Sequence, residues 1–178
     1  MQGREDIELN ENGRRQVSNC RTFLKRYSWD SIICSPLKRA KETADIIGED
    51  IGVERIFEIQ GFIERDYGVA SGLIPDQRKL RFPDGKIEGQ EDRISLTNRV
   101  MNALIKVVSE NRNKKIIIVS HGGVINSILA AITNNEIGSG KTKLKNTCMT
   151  LLYFYNEKWS IEFYNLTADE IKNEVSDY

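Results

Sequence analysis

Lys115-Ile116-Ile117-Ile118-Val119-Ser120-His121-Gly122-Gly123-Val124 reads as a buried strand that ends at a serine, presents a histidine and enters a helix through two glycines. Four consecutive β-branched residues without a polar break suit a strand covered on both faces. Val124 to Thr133, which follows, reads as helix. Strand passing into helix is the repeating unit of parallel α/β sheets, in which the chain must cross a sheet face to return. The unit recurs upstream. Ser31 to Cys34 is a short buried strand that stops at Ser35-Pro36, because proline cannot donate to a ladder. Leu37, Ala40, Ala44, Ile47 and Ile51 then trace a helical stripe to about Gly52.

The remaining segments fit around these two units. Asn10 is placed to cap a helix whose Val17, Cys20, Phe23, Leu24 and Tyr27 recur at intervals of three and four. Arg55 to Ile59 is a weaker strand, and Glu91 to Asn111 a long amphipathic helix. Thr147 to Tyr155 and Trp159 to Tyr164 form a hairpin turning at Asn156-Glu157. Gln60 to Gln90 shows no sustained period and is expected to be a functional loop, and the last dozen residues a frayed or weakly docked tail. The pattern predicts a single α/β domain over residues 1–178. Its mainly parallel sheet carries helices on both faces and an antiparallel edge, a three-layer sandwich.

Composition narrows the function classes. The 178 residues are 39% hydrophobic, enough for one domain with a real core. Lys+Arg and Asp+Glu both number 26, so nothing in the charge balance calls for nucleic acid or an anionic membrane. Cys20, Cys34 and Cys148 form no CxxC pair, which argues against a disulfide framework or a zinc cluster. No apolar run approaches the ~20 residues of a membrane span, and Met1-Gln2-Gly3-Arg4-Glu5-Asp6 has no apolar h-region. A cytoplasmic protein is expected. The single histidine, His121, excludes any mechanism that draws two imidazoles from this chain.

In parallel α/β sheets ligands bind beyond the carboxyl ends of the strands. Arg39, in the first turn of the helix after Ser31 to Cys34, opposes the helix dipole. It is either an ordinary solvated arginine or a cation that holds an anion together with the amides of the helix start. His121 is either a hydrogen-bonded core histidine before a tight turn or a contact to a phosphate oxygen, with Gly122 and Gly123 letting backbone amides approach. Glu64 lies between Gly61 and Gly72 in a stretch with aromatic residues. If the loop buries it, its pKa rises as a general acid requires; the alternative is a solvated charge run. Gly138-Ser139-Gly140-Lys141-Thr142 lacks the earlier glycine of a phosphate-binding loop, with Asn135 in its place and a helix before it, and is read as a surface turn.

Taken in order, Ser35-Pro36-Leu37-Lys38-Arg39-Ala40 with Thr43-Ala44, then Glu64-Arg65-Asp66-Tyr67-Gly68, then Ser120-His121-Gly122-Gly123, resemble the histidine phosphatase superfamily, with its phosphoglycerate mutase-like fold. The resemblance extends from Gln2-Gly3-Arg4 through the final strands. It implies phosphomonoester hydrolysis by way of a phosphohistidine, without metal or other cofactor, on a small phosphorylated metabolite, with inorganic phosphate as product. It implies Arg39, Glu64 and His121 as catalytic residues, and Gln2, Gly3, Arg39, Gly122 and Gly123 as substrate contacts. Mutase-type phosphoryl transfer and an inactive phosphate-binding pseudoenzyme are the alternatives, and a homodimer is compatible with the resemblance.

One departure stands out. The family's first strand ends in an Arg-His-Gly segment that carries the nucleophile, and nothing like it occurs here. A strand and its loop, on the order of 15 to 25 residues by usual element lengths, are therefore expected to be missing from the front. Met1 would then be an internal methionine taken as a start, or the chain a truncated gene product. The chain as written is expected to lack phosphohistidine chemistry.

Overall fold

The computed structural model describes residues 2–174. Helix α1 (Glu11–Asn19) is capped as expected by Asn10, whose side-chain oxygen accepts from the Gly13 amide at 2.8 Å. The expected single helix breaks at Cys20 and resumes as α2 (Arg21–Leu24). Strand β1 (Ser31–Cys34) leads into α3 (Lys38–Ile51), which ends on Gly52 in the left-handed conformation. Strand β2 (Ile56–Glu58) is followed by two single 3-10 turns and by α4 (Pro75–Arg81). Next come α5 (Arg93–Glu110), β3 (Ile116–Val119) and α6 (Gly122–Ile132). The chain closes with β4 (Met149–Tyr155), β5 (Lys158–Leu166) and α7 (Ala168–Glu174).

Two elements differ from the sequence expectation. Helix α4 falls inside the stretch read as patternless, because none of its residues is buried and no apolar stripe marks it. The tail is in part a docked helix: Ile171 is 0% exposed and joins the core, while residues 175–178 lie outside the described residues.

Strands β2, β1 and β3 pair in that order, all parallel, with Ile32 opposite both Ile56 and Ile117. All four residues of β1 are buried, as a central parallel strand requires. Its side chains alternate between two cores. Ile32 and Cys34 face Ala40, Ala44 and Ile47 of α3, with Val17, Phe23, Leu24 and Ile171, whereas Ile33 faces Leu96, Val100 and Leu104 of α5 and Val124 and Ile128 of α6. Helices thus cover both faces.

The hairpin β4–β5 turns at Asn156 and Glu157, both at positive φ, as a two-residue hairpin loop demands. It extends the same layering: Met149, Phe163 and Leu166 join the first core, Leu152 and Trp159 the second. Yet among the described residues no ladder connects it to β3, so the two sheets stand as separate hydrogen-bonded units. Apart from its pairing with β1, β3 is a sheet edge of four apolar residues, a kind of edge that soluble proteins usually cover. No helix among the described residues is long and apolar enough to cross a membrane.

Candidate active site

The parallel strands deliver the candidate residues to one end of the sheet. The Ser35 amide donates to the Val119 carbonyl at 3.0 Å, so the exits of β1 and β3 stay side by side for one residue beyond the strands. Ser35 is fully buried, and its Oγ lies 2.7 Å from His121 Nε2. The same Oγ accepts from the Leu37 amide, which leaves its hydroxyl proton for the imidazole. With that proton directed to the ring, Nε2 is the acceptor, an assignment of tautomer that suits a neutral His121. Burial, with the nearby positive charge of Arg39 adding to it, pulls the His121 pKa down to about 3. The ring is buried and hydrogen-bonded, and its place at the start of α6 keeps it at the strand exit.

Glu64 is 9% exposed and its carboxylate is gripped by backbone amides: Arg65 N–H donates to Oε1 at 2.8 Å and Gly123 N–H to Oε2 at 3.2 Å. Burial raises its pKa, opposed by those amides and by the charge of Arg39. It is therefore not a solvated charge run. Gly123 is required by this packing, since a Cβ at that position would sit 2.4 Å from Glu64 Oε1. Its amide, expected to face a phosphate, is bonded to Glu64. Gly122 differs from its neighbour: a methyl group there would meet nothing within 4 Å.

Arg39 is half-buried, and its guanidinium donates to the carbonyls of Glu5 at 2.7 Å and Gly3 at 2.8 Å. Burial lowers its pKa, while Glu64, Asp6 and Glu5 oppose the shift. The expected shared anion site at the start of α3 is modified by this N-terminal segment, because Asp6 Oδ1 accepts the Lys38 amide at 2.7 Å. An acidic side chain of the protein satisfies the helix dipole there. Gly3 is buried at φ 58, where a Cβ would meet Tyr67 and Ser71 at 3.0 Å, whereas Gln2 is exposed. The structure thus groups Arg39, Glu64, His121, Gly3, Gly122 and Gly123, with Gln2 at the margin.

Sequence reasoning assigned no role to Ser35, Tyr67, Glu91 or Arg99. Tyr67 lies under the Arg65 guanidinium, 5.5 Å from its ring centre, and its pKa is raised by burial and by Glu64. Glu91 and Arg99 pair near the start of α5 and hold the Glu64 loop. Ser35 and Tyr67 had a sequence signal, in their places within the Ser-Pro-Leu-Lys-Arg and Glu-Arg-Asp-Tyr-Gly runs. The Gly138 to Thr142 segment is a turn closed on itself by a bond from Gly138 N–H to Thr142 Oγ1.

The known proteins similar to this chain include phosphatases and phosphoglycerate mutase-like proteins. Residues 1–167 match the family model for the histidine phosphatase superfamily (branch 1). The phosphatase PhoE of Bacillus subtilis, itself described as uncharacterized, is 41% identical over 167 residues, covering 94% of this chain and 86% of the relative. A metal-independent phosphoserine phosphatase of Arabidopsis thaliana is 28% identical, over 91% of this chain and 72% of its own. Among solved structures, a mycobacterial glucosyl-3-phosphoglycerate phosphatase in complex with inorganic phosphate superposes with a TM-score of 0.83 at 24% identity, over 94% of this chain and 92% of that one. A phosphoserine phosphatase of Entamoeba histolytica in complex with 3-phosphoglyceric acid superposes with a TM-score of 0.77 at 28% identity, over 94% and 88%.

Proposed function

The chain belongs to the histidine phosphatase superfamily, and on that footing we propose that it carries the proton-donating and phosphate-orienting part of a phosphomonoesterase site. The observation that carries this reading is Glu64. A carboxyl group buried within reach of the Arg39 charge, with its pKa raised by that burial, keeps a proton to higher pH than an exposed glutamate does. That proton would go to the leaving alkoxide as the ester P–O bond breaks, and the resulting carboxylate would later take a proton from the attacking water. Arg39 supplies positive charge to the phosphate oxygens. His121 supplies a hydrogen-bond donor from Nδ1, because Ser35 occupies Nε2.

The nucleophilic histidine, in this reading, is not among the residues of this chain. Support comes from the single histidine of the sequence and from the engagement of that histidine with Ser35. Hydrolysis is favoured over mutase transfer by the phosphatase relative at 41% identity. The substrate would be a small phosphorylated metabolite. A cytoplasmic setting is supported by Cys20, Cys34 and Cys148, which are all free thiols.

Calorimetry with inorganic phosphate and a colorimetric p-nitrophenyl phosphate assay test the two halves of the reading. Phosphate binds the 178-residue chain, binding is lost in Arg39→Ala, and the chain releases no nitrophenol. Nitrophenol release by the chain would refute the missing nucleophile, phosphate binding undiminished in His121→Gln would refute the assignment of His121, and absence of phosphate binding would refute the site itself.

A further inference from the structure

Glu64 sits in neither a helix nor a strand, yet each backbone carbonyl from Gly61 to Glu64 is held by a side chain from elsewhere in the chain. Arg99 Nη1, from α5, donates to the carbonyls of Gly61 at 2.8 Å and Ile63 at 2.9 Å. Ser120 Oγ, at the exit of β3, donates to the carbonyl of Phe62 at 2.9 Å. Arg4 Nε, from the N-terminal segment, donates to the carbonyl of Glu64 itself at 3.0 Å. The loop also lies too close to α5 for any side chain at Gly61, where a Cβ would be 2.4 Å from that of Ala103.

Glu91 ties these arms together. Its Oε1 accepts from Arg99 Nε at 2.9 Å and its Oε2 from Arg99 Nη2 at 2.8 Å, a two-pronged pair that fixes the plane of the guanidinium. Oε2 also accepts from Arg4 Nη2 and from the Asp66 amide, each at 3.3 Å. The Glu91 backbone completes the clamp, its amide donating to the Asp66 carbonyl at 2.9 Å and its carbonyl accepting Arg65 Nε at 2.8 Å. The Glu91 side chain is only 12% exposed. A lone surface ion pair would contribute little; a carboxylate shared by two arginines and an amide in partial burial is a rigid support.

We propose that Glu91 and Arg99 are positioning residues for Glu64: they hold residues 61–66 so that its carboxyl stays buried against the start of α6. The proposal rests on Glu64 as the proton donor and adds how the fold keeps it there. Because the carbonyls are held by guanidinium forks, lysine cannot replace Arg99. A single ammonium does not reach two carbonyls and a carboxylate in one plane. Glu91→Gln removes the charge of the hub, and Arg4→Gln removes only the outer arm.

The test is a carbon-13 NMR titration of the Glu64 side-chain carboxyl, assigned by its loss in Glu64→Gln, in the wild-type chain and in Arg99→Lys, Glu91→Gln and Arg4→Gln. Arg39 and Tyr67 interact with this carboxyl and are unchanged in all three. The raised titration midpoint of Glu64 falls towards that of a solvated glutamate in Arg99→Lys and Glu91→Gln, and by less in Arg4→Gln. Leu104→Ala, a cavity in the same helix, serves as control: it lowers the melting temperature without moving the midpoint. The proposal is overturned if the midpoint is unmoved in the variants that fold, Arg4→Gln being the mildest of them, or if Leu104→Ala moves it equally. Inorganic phosphate binding by the wild-type chain is measured alongside. Its absence would count against the proposed site, and a fixed midpoint with phosphate bound would count against the brace alone.

Discussion

Replacing Gly123 by alanine should destabilise the protein although it improves the helix. Gly123 lies in the first turn of α6 without a positive φ, so alanine is conformationally acceptable. Helix propensity alone would favour alanine by up to about 1 kcal/mol. Against this, the added methyl would lie 2.4 Å from Glu64 Oε1 and 3.2 Å from Arg65 Cβ. Either the carboxylate withdraws by about an ångström to reach ordinary contact or the start of α6 shifts. Both movements break the 3.2 Å bond from the Gly123 amide to Glu64 Oε2. A hydrogen bond to a charged acceptor contributes about 1.5–3 kcal/mol, so the net effect is a loss of roughly 1–2 kcal/mol. Gly122→Ala is the built-in comparison, because its methyl meets nothing within 4 Å. Urea unfolding of the two variants should place Gly122→Ala at or slightly above the wild type and Gly123→Ala below it. In Gly123→Ala alone the titration of Glu64 should also change, as the carboxyl is pushed out of its burial. Equal stability of the two variants, with Glu64 titrating as in the wild type, would refute the reasoning that Glu64 occupies the space of the missing side chain.

Three further outcomes follow from the site. Ser35→Ala leaves His121 Nε2 buried without a donor, at a cost of about 1–3 kcal/mol. With one histidine in the chain, nitrogen-15 spectra should show a single imidazole whose tautomer is fixed in the wild type and mixed in the variant. His121 also predicts a stability profile. Its folded pKa, about 3, lies below the ordinary value of 6.5, so its contribution is present above pH 6.5 and is lost as pH falls towards 3. Denaturant melts at stepped pH should show His121→Gln with a flatter profile than wild type over that interval. Glu64 has the opposite sign: its raised pKa gives stability at low pH that is lost as pH rises through the folded value, so Glu64→Gln should gain on the wild type towards neutral pH.

What the sequence made legible is what burial writes into it. Strands β1 and β3 carry unbroken apolar runs because both faces are covered, and their helices show stripes because one side packs. The hairpin turn was readable from Asn156, a residue that tolerates positive φ. Helix α4 was not, since none of its residues is buried. Helix α6 begins at Gly122, two residues before its apolar run, because the glycines form its first turn beside Glu64. Glu64 could be singled out only from the order of three motifs, and the Glu91–Arg99 clamp left no trace. Its partners come from residues 4, 61–66, 91 and 99, and no local period links them. Neither could the sequence foresee that Arg39 would hold Gly3 and Glu5, a contact made across more than thirty residues.

The central proposal is that this chain holds the acid and the phosphate contacts of the site without the nucleophile. A phosphorus-31 NMR time course of the purified 178-residue chain with p-nitrophenyl phosphate tests it directly. The expected spectrum shows an ester resonance shifted by binding and unchanged over time, with no phosphohistidine and no inorganic phosphate. Growth of an inorganic phosphate signal that depends on Glu64, or a phosphohistidine resonance on His121, would contradict the account.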